Sequence, residues 1–181
     1  LMLFAAQKMR KQEDLNNPTI LIVVDRVDLD TQLTATFNTA EVPNMVTTDS
    51  IRELHKLLEQ DTRKIIITMV HKFRDSYPDM NSRDNIIVMV DEAHRTQEGD
   101  LGRKMRAALP NSFLFGLTGT PINKADRNTF WAFGAEQDTG GYLSRYTFQE
   151  SIRDNATLPL HFEPRLPDYH IDTEGLDIAF K

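Results

Sequence analysis

Two adjacent carboxylates and, one alanine later, a histidine end an unbroken apolar run: Ile86 to Val90 leads straight into Asp91, Glu92, Ala93 and His94. A strand ending this way can place one acid on a divalent cation and the other on water. Mg2+ takes oxygen ligands and keeps several waters, so one or two carboxylates suffice. In phosphoryl transfer to water, one acid holds the metal while a neighbour orients the nucleophile. The same pair can instead cap the following helix or face solvent in a loop. A second polar turn, Leu117-Thr118-Gly119-Thr120-Pro121, closes the next apolar run. Gly119 permits a sharp turn with backbone close to a ligand, and Thr118 and Thr120 offer hydroxyls to bridge neighbouring loops. Taken alone, it is equally a strand exit stiffened by Pro121.

The surrounding elements must bring these turns together. Residues 1–12 have helical spacing and stop near Asn16-Asn17-Pro18. Residues 19–24, 64–70, 85–90 and 112–120 are apolar runs that predict strands, the first three continuous enough to be buried on both faces. "NMVTT" is a weaker strand. Between them, 26–40 carries a helical stripe (Val27, Leu29, Leu33, Phe37), and a helix follows Asp49 or Ser50 as N-cap, with Glu53 set for a capping box. "DLGRKMRAAL" is a helix stopped by Pro110, and "TFQESIRDNA" predicts another. Apolar strands alternating with amphipathic helices predict an α/β fold with a mostly parallel sheet. In such sheets ligands bind at the carboxyl ends of the strands. That rule selects Asp25-Arg26, Thr68 to His71, Asp91 to His94 and Thr118 to Pro121.

The 181 residues carry a net charge of -6, with 40% hydrophobic and 27% charged residues. That composition supports a real core, and it supplies no broad basic footprint for nucleic acid, although a local groove remains compatible with it. No apolar run approaches the roughly 20 residues of a membrane-spanning helix. The N-terminal charge follows its apolar residues rather than preceding them, unlike a signal peptide. The absence of cysteine excludes disulfides, thiolate metal sites and a cysteine nucleophile, and fits the cytoplasm. His55, His161 and His170 fall in no HExxH or triad pattern. Trp131, with Phe130 and Phe133, is either a stacking platform for bases or a local aromatic core under a loop.

"VDEAH" followed by "LTGTP" resembles motifs II and III of superfamily 2 helicases and translocases. The longer strings "IIVMVDEAHRTQEGDLGRKMRAALPNSFLFGLTGTPI", "DRNT" (126–129) and "YTFQESIRDNATLPLHFEPRL" are similar to the motor region of the R subunit of type I restriction enzymes. The resemblance spans roughly residues 1–166 and implies a RecA-like, P-loop NTPase fold. It implies that Asp91 holds Mg2+, that Glu92 polarises the attacking water, and that both, with His94, Thr118 and Thr120, belong to an ATP site. It places Arg26, Gln32, Thr68, His71 and Lys72 near DNA. It further implies double-stranded DNA as substrate and a complex with methyltransferase and specificity subunits.

One part of that site is missing from the sequence. A motor ATPase needs a Gly-x-x-x-x-Gly-Lys-Ser/Thr loop whose amides cradle the phosphates, and none of the eight glycines lies in that context. In the resembled family that loop directly precedes a helix like residues 1–12. The expectation is therefore a first motor lobe (1–155) that starts just after its phosphate loop and lacks the P-loop strand. An extended segment (156–181) would lead towards a second lobe. Such a piece would be inactive alone within a DNA translocase and endonuclease. The alternatives are another superfamily 2 helicase or translocase, and a non-catalytic nucleic-acid-binding scaffold that keeps the motor fold.

Overall fold

The computed structural model describes residues 1–25, 43–96, 100–124 and 128–164. The expected helix at 26–40, Arg26 and Gln32 lie outside these residues. Five strands form one all-parallel sheet: β1 (Thr19–Val24), β2 (Met45–Thr47), β3 (Ile65–Met69), β4 (Ile86–Val90) and β5 (Phe113–Gly116), in the order β2-β3-β1-β4-β5. The helices are α1 (Met2–Arg10), α2 (Ile51–Leu58), α3 (Ala93–Thr96), α4 (Asp100–Ala108), α5 (Thr129–Phe133) and α6 (Phe148–Arg153).

Strands β1, β3 and β4 are buried along their whole length, as continuous β-branched runs require in a sheet covered on both faces. Alternate side chains divide the core. Leu21, Val23, Ile66, Val88 and Val90 pack with Leu54 and Leu58 of α2, Phe73, and Met105 and Ala108 of α4. On the opposite face Ile20, Ile22, Val24, Ile67 and Met89 pack with Ala6 of α1 and its neighbours Met2 and Met9. Each fully buried aliphatic side chain contributes roughly 1.5–3 kcal/mol, so these two layers fix the strand register and with it the position of every strand end.

Local signals act as expected at α2. Ser50 is the N-cap and accepts from the Glu53 amide at 3.2 Å, while the Glu53 carboxylate accepts from the Asp49 amide at 2.9 Å. Two expected strands are shorter in the structure. The third apolar run leaves the sheet at Val70, where a 3-10 turn (Val70–Phe73) begins. The run at 112–120 is a strand only over Phe113–Gly116, because Leu117 to Thr120 peel away into the polar turn. β5 has one sheet neighbour among the described residues, and Phe113 is 57% exposed.

The chain divides into two compact units, Leu1–Leu143 and Ser144–Lys181. The helix α6 therefore belongs with the second unit, upstream of the expected boundary at 155. Within that unit Thr147 and Glu150 form a capping box on α6, and the Ser151 hydroxyl meets that of Thr157 at 2.9 Å. Residues 156–164 have no regular secondary structure and are exposed.

Candidate functional site

All strands run in one direction, so their carboxyl ends lie along one edge of the sheet. The backbone ladder continues beyond the strands there. The Asp91 amide donates to the Val23 carbonyl at 2.9 Å, the Leu117 amide to Val90 at 2.9 Å, and the Ala93 amide to Leu117 at 3.0 Å. These bonds fix the Asp91–His94 turn against both β1 and the Thr118–Thr120 turn.

Glu92 takes φ +47°, the left-handed region. A side-chain-bearing residue there costs about 1–2 kcal/mol. Such strain persists where the surrounding bonds over-determine the backbone, and it concentrates at functional sites. The kink ends β4 abruptly and starts α3 within two residues. It places His94 so that Nδ1 lies 2.8 Å from Thr118 Oγ1, 3.4 Å from Thr120 Oγ1 and 3.4 Å from the Glu92 carboxylate. Thr118 Oγ1 also accepts from the Thr120 amide at 3.1 Å. The residues expected from the two separate motifs, Glu92, His94, Thr118 and Thr120, are thus one connected polar cluster, with Asp91 beside it at the strand end.

Asp91 is half-buried. Burial, augmented by the negative charge of Glu92 and opposed by the Glu92 amide that bonds it, holds its carboxyl above the usual carboxylate range. Among the described residues neither Asp91 nor Glu92 is ion-paired with a lysine or arginine. Two adjacent acids, one of them disfavoured as an anion by its surroundings, form a donor set that a hard divalent cation suits. No cluster of three or more potential metal-ligating side chains exists among the described residues.

The expected DNA-facing residues are distributed differently. Thr68 is fully buried and its hydroxyl meets that of Thr48 at 2.9 Å. Lys72 is 5% exposed and donates to the Thr48 carbonyl. Thr68 ties β3, and Lys72 the 3-10 turn that follows it, to Thr48 just beyond β2, and both side chains are engaged there. His71, in the same turn, is partly exposed at the carboxyl edge.

The sequence reading also missed an ion pair. Arg95 Nε lies 3.2 Å from Asp25 Oδ2, linking the end of β1 to α3. Opposite charges just beyond two neighbouring strands were the available signal, but only the strand order reveals that β1 and β4 are neighbours. Of the aromatics, Phe133 packs against Gly116 and beneath the Arg106 guanidinium, 5.1 Å from the ring centre. Phe130 meets Tyr142 edge-to-face at 4.9 Å. These two are local core, whereas Trp131 is 77% exposed.

Among known proteins, the type I restriction enzyme HindI endonuclease subunit of Haemophilus influenzae is 37% identical over 90% of this chain, which spans 17% of that protein. The type I restriction enzyme SsaAORF53P endonuclease subunit of Staphylococcus saprophyticus is 28% identical over 94% of this chain, which spans 19% of its length. The chain therefore spans about a fifth or less of the length of these relatives. The crystal structure of the Pyrococcus furiosus Hef helicase domain superposes with a TM-score of 0.50 at 20% identity, over 75% of this chain and 31% of that one, and supports the RecA-like fold. The SWI2/SNF2 ATPase family model matches residues 1–181. A parallel sheet that delivers an Asp-Glu-x-His turn and a Thr-Gly-Thr turn to one edge is what that match covers, and the chain belongs to the SWI2/SNF2 ATPase family.

Proposed function

We propose that these residues form part of the first motor lobe of a type I restriction endonuclease subunit, in which ATP hydrolysis drives movement along duplex DNA. The observation that carries the reading is the joined cluster at the carboxyl edge. Asp91 and Glu92 stand at the end of β4, with His94 bonded to Thr118 at 2.8 Å across from the end of β5. Asp91, with Glu92 beside it, would hold Mg2+, whose role is to bridge and neutralise phosphate oxygens. Glu92 orients the attacking water and His94 transmits the state of the site to the Thr118–Thr120 turn. His71, Arg26 and Gln32 are the proposed contacts on the DNA side. The methyltransferase and specificity subunits of a restriction complex are the proposed partners, and the cytoplasm the proposed compartment. No helix among the described residues is long and apolar enough to cross a membrane.

The test uses a polypeptide that carries these residues together with a Gly-Lys-Ser/Thr loop. Duplex-stimulated ATP turnover is expected, falling at least 100-fold in Glu92→Gln while DNA binding persists. DNA binding without turnover in the unaltered protein would refute the motor reading and favour the scaffold alternative. The 181 residues alone contain no such loop, so they are expected to turn over no ATP. Turnover by them that Glu92→Gln abolishes would refute that expectation.

A further inference from the structure

Beyond the Thr118–Thr120 turn the chain builds a second feature that the ATP site does not use. Pro121, Asn123, Asn128, Phe130, Trp131 and Tyr142, with Gly140 and Gly141, line an open groove of about 460 Å³. That volume lies within the roughly 300–1,000 Å³ typical of small-molecule sites. The groove has a built floor. Phe130 and Tyr142 pack edge-to-face, and a Cβ at Gly141 would come within 2.9 Å of the Phe130 ring, so the glycine is what lets this wall close on the aromatic. Its rim is fixed as well. Asn128 caps α5 by accepting from the Phe130 and Trp131 amides at 2.9 and 3.1 Å, and its own amide group donates to Asn123 Oδ1 at 2.8 Å.

Two groups lining this groove have polar atoms with no hydrogen-bond partner among the described residues. The indole of Trp131, 77% exposed on a capped helical turn, has no hydrogen bond to Nε1 among the described residues. The Asn123 amide has its oxygen engaged and its NH2 group without a partner among the described residues. None of the residues named carries a formal charge. An uncharged groove with an exposed indole face, a proline ring and a free carboxamide donor suits a flat heterocycle with edge acceptors. It does not suit a phosphate.

We infer that this groove binds a nucleobase, with Trp131 stacking on its face and Asn123 donating to its edge. The base belongs to an unpaired nucleotide in a strand or to a free nucleoside. The inference is independent of the ATPase reading, since it involves neither Asp91, Glu92 nor the metal.

Trp131 is the sole tryptophan of the chain, so its fluorescence reports on this groove alone. The 181-residue chain would be titrated, without ATP or metal, with a single-stranded thymidine decamer, an abasic decamer of the same backbone, and free thymidine. Saturable quenching by the decamer and none by the abasic strand is the expected result. Binding of the decamer far below the thymidine concentration needed would assign the base to a strand, and equal concentrations would assign it to a free nucleoside. Stacking losses for a single base imply that Trp131→Ala weakens decamer binding roughly 5- to 150-fold by anisotropy, while Trp131→Phe stays close to wild type. Because phosphate contacts are not the driving term, the affinity should fall only weakly with salt. Equal quenching by the abasic strand, no quenching by any of the three, or unchanged binding in a folded Trp131→Ala variant would overturn the inference.

Discussion

The left-handed backbone at Glu92 makes a prediction that separates conformation from chemistry. At φ +47° any side chain with a Cβ costs about 1–2 kcal/mol, and glycine is free of that cost. Glycine also enlarges the unfolded ensemble, which offsets about 0.5–1 kcal/mol of the gain. Comparing Glu92→Gly with Glu92→Ala cancels the contact to His94, which both remove. The pair itself is 3.4 Å long and Glu92 is 42% exposed, so it is worth only a few tenths of a kcal/mol. With mid-range values of about 1.5 and about 0.75 kcal/mol for these two effects, Glu92→Gly should be more stable than Glu92→Ala by about 0.75 kcal/mol. For a chain of this size that is a rise in Tm of roughly 1–4 °C. Urea denaturation followed by circular dichroism measures the difference. If the alanine variant equals or exceeds the glycine variant, the strain argument fails. If the proposed role of Glu92 is right, glutamate here gives up stability for a carboxylate held at a fixed place.

Asp91 gives a pH test. Its folded-state carboxyl is held above 3.8 by burial, and an acid with a raised pKa disfavours the folded state once ionised. Asp91→Asn should be the more stable protein at pH 7, and its advantage should shrink as pH falls through the raised value and vanish below 3.8. Urea midpoints of the two proteins between pH 7 and 3 test this, and a difference that does not change with pH would refute it. Gly116→Ala tests the seam between β5 and the two turns. Its new Cβ would stand 2.7 Å from Phe133 Cγ and 2.9 Å from Ala93 Cβ, an overpacking worth about 1–3 kcal/mol. A thermal melt should show a drop of several degrees, and an unchanged Tm would show that Phe133 moves aside freely.

The sheet was legible because its central strands are written without ambiguity. Ile20 to Val24, Ile65 to Met69 and Ile86 to Val90 are buried on both faces, and such runs have few other places to go. Turns were less legible. Nothing in the sequence at Glu92 announces a positive φ, since neither glycine nor asparagine stands there, and the conformation is imposed by amide bonds from Asp91 and Ala93 to residues far along the chain. Lys72 illustrates the opposite failure. A lysine after a strand is ordinarily solvated, but this one finds the carbonyl of Thr48, just past a strand that is adjacent only once the order β2-β3 is known. The sequence places Thr68 and Lys72 at the carboxyl end of a strand, but the directions of their side chains depend on that neighbour.

The same bonds explain why two short motifs separated by a helix can behave as one device. Val90 carbonyl, Leu117 amide, Leu117 carbonyl and Ala93 amide make a continuous path of 2.9 and 3.0 Å bonds between the turns. The side chains repeat the connection one layer out, from Glu92 through His94 to Thr118 and back to the Thr120 amide at 3.1 Å. A shift of the Glu92 side chain, as the proposed role would require, must therefore either carry the Thr118–Thr120 turn with it or break a bond at a partly buried imidazole. Breaking a bond to a desolvated group costs more than making it gains. The Asp91–His94 and Thr118–Thr120 turns are thus joined twice, by backbone amides and by the His94 and Thr118 side chains.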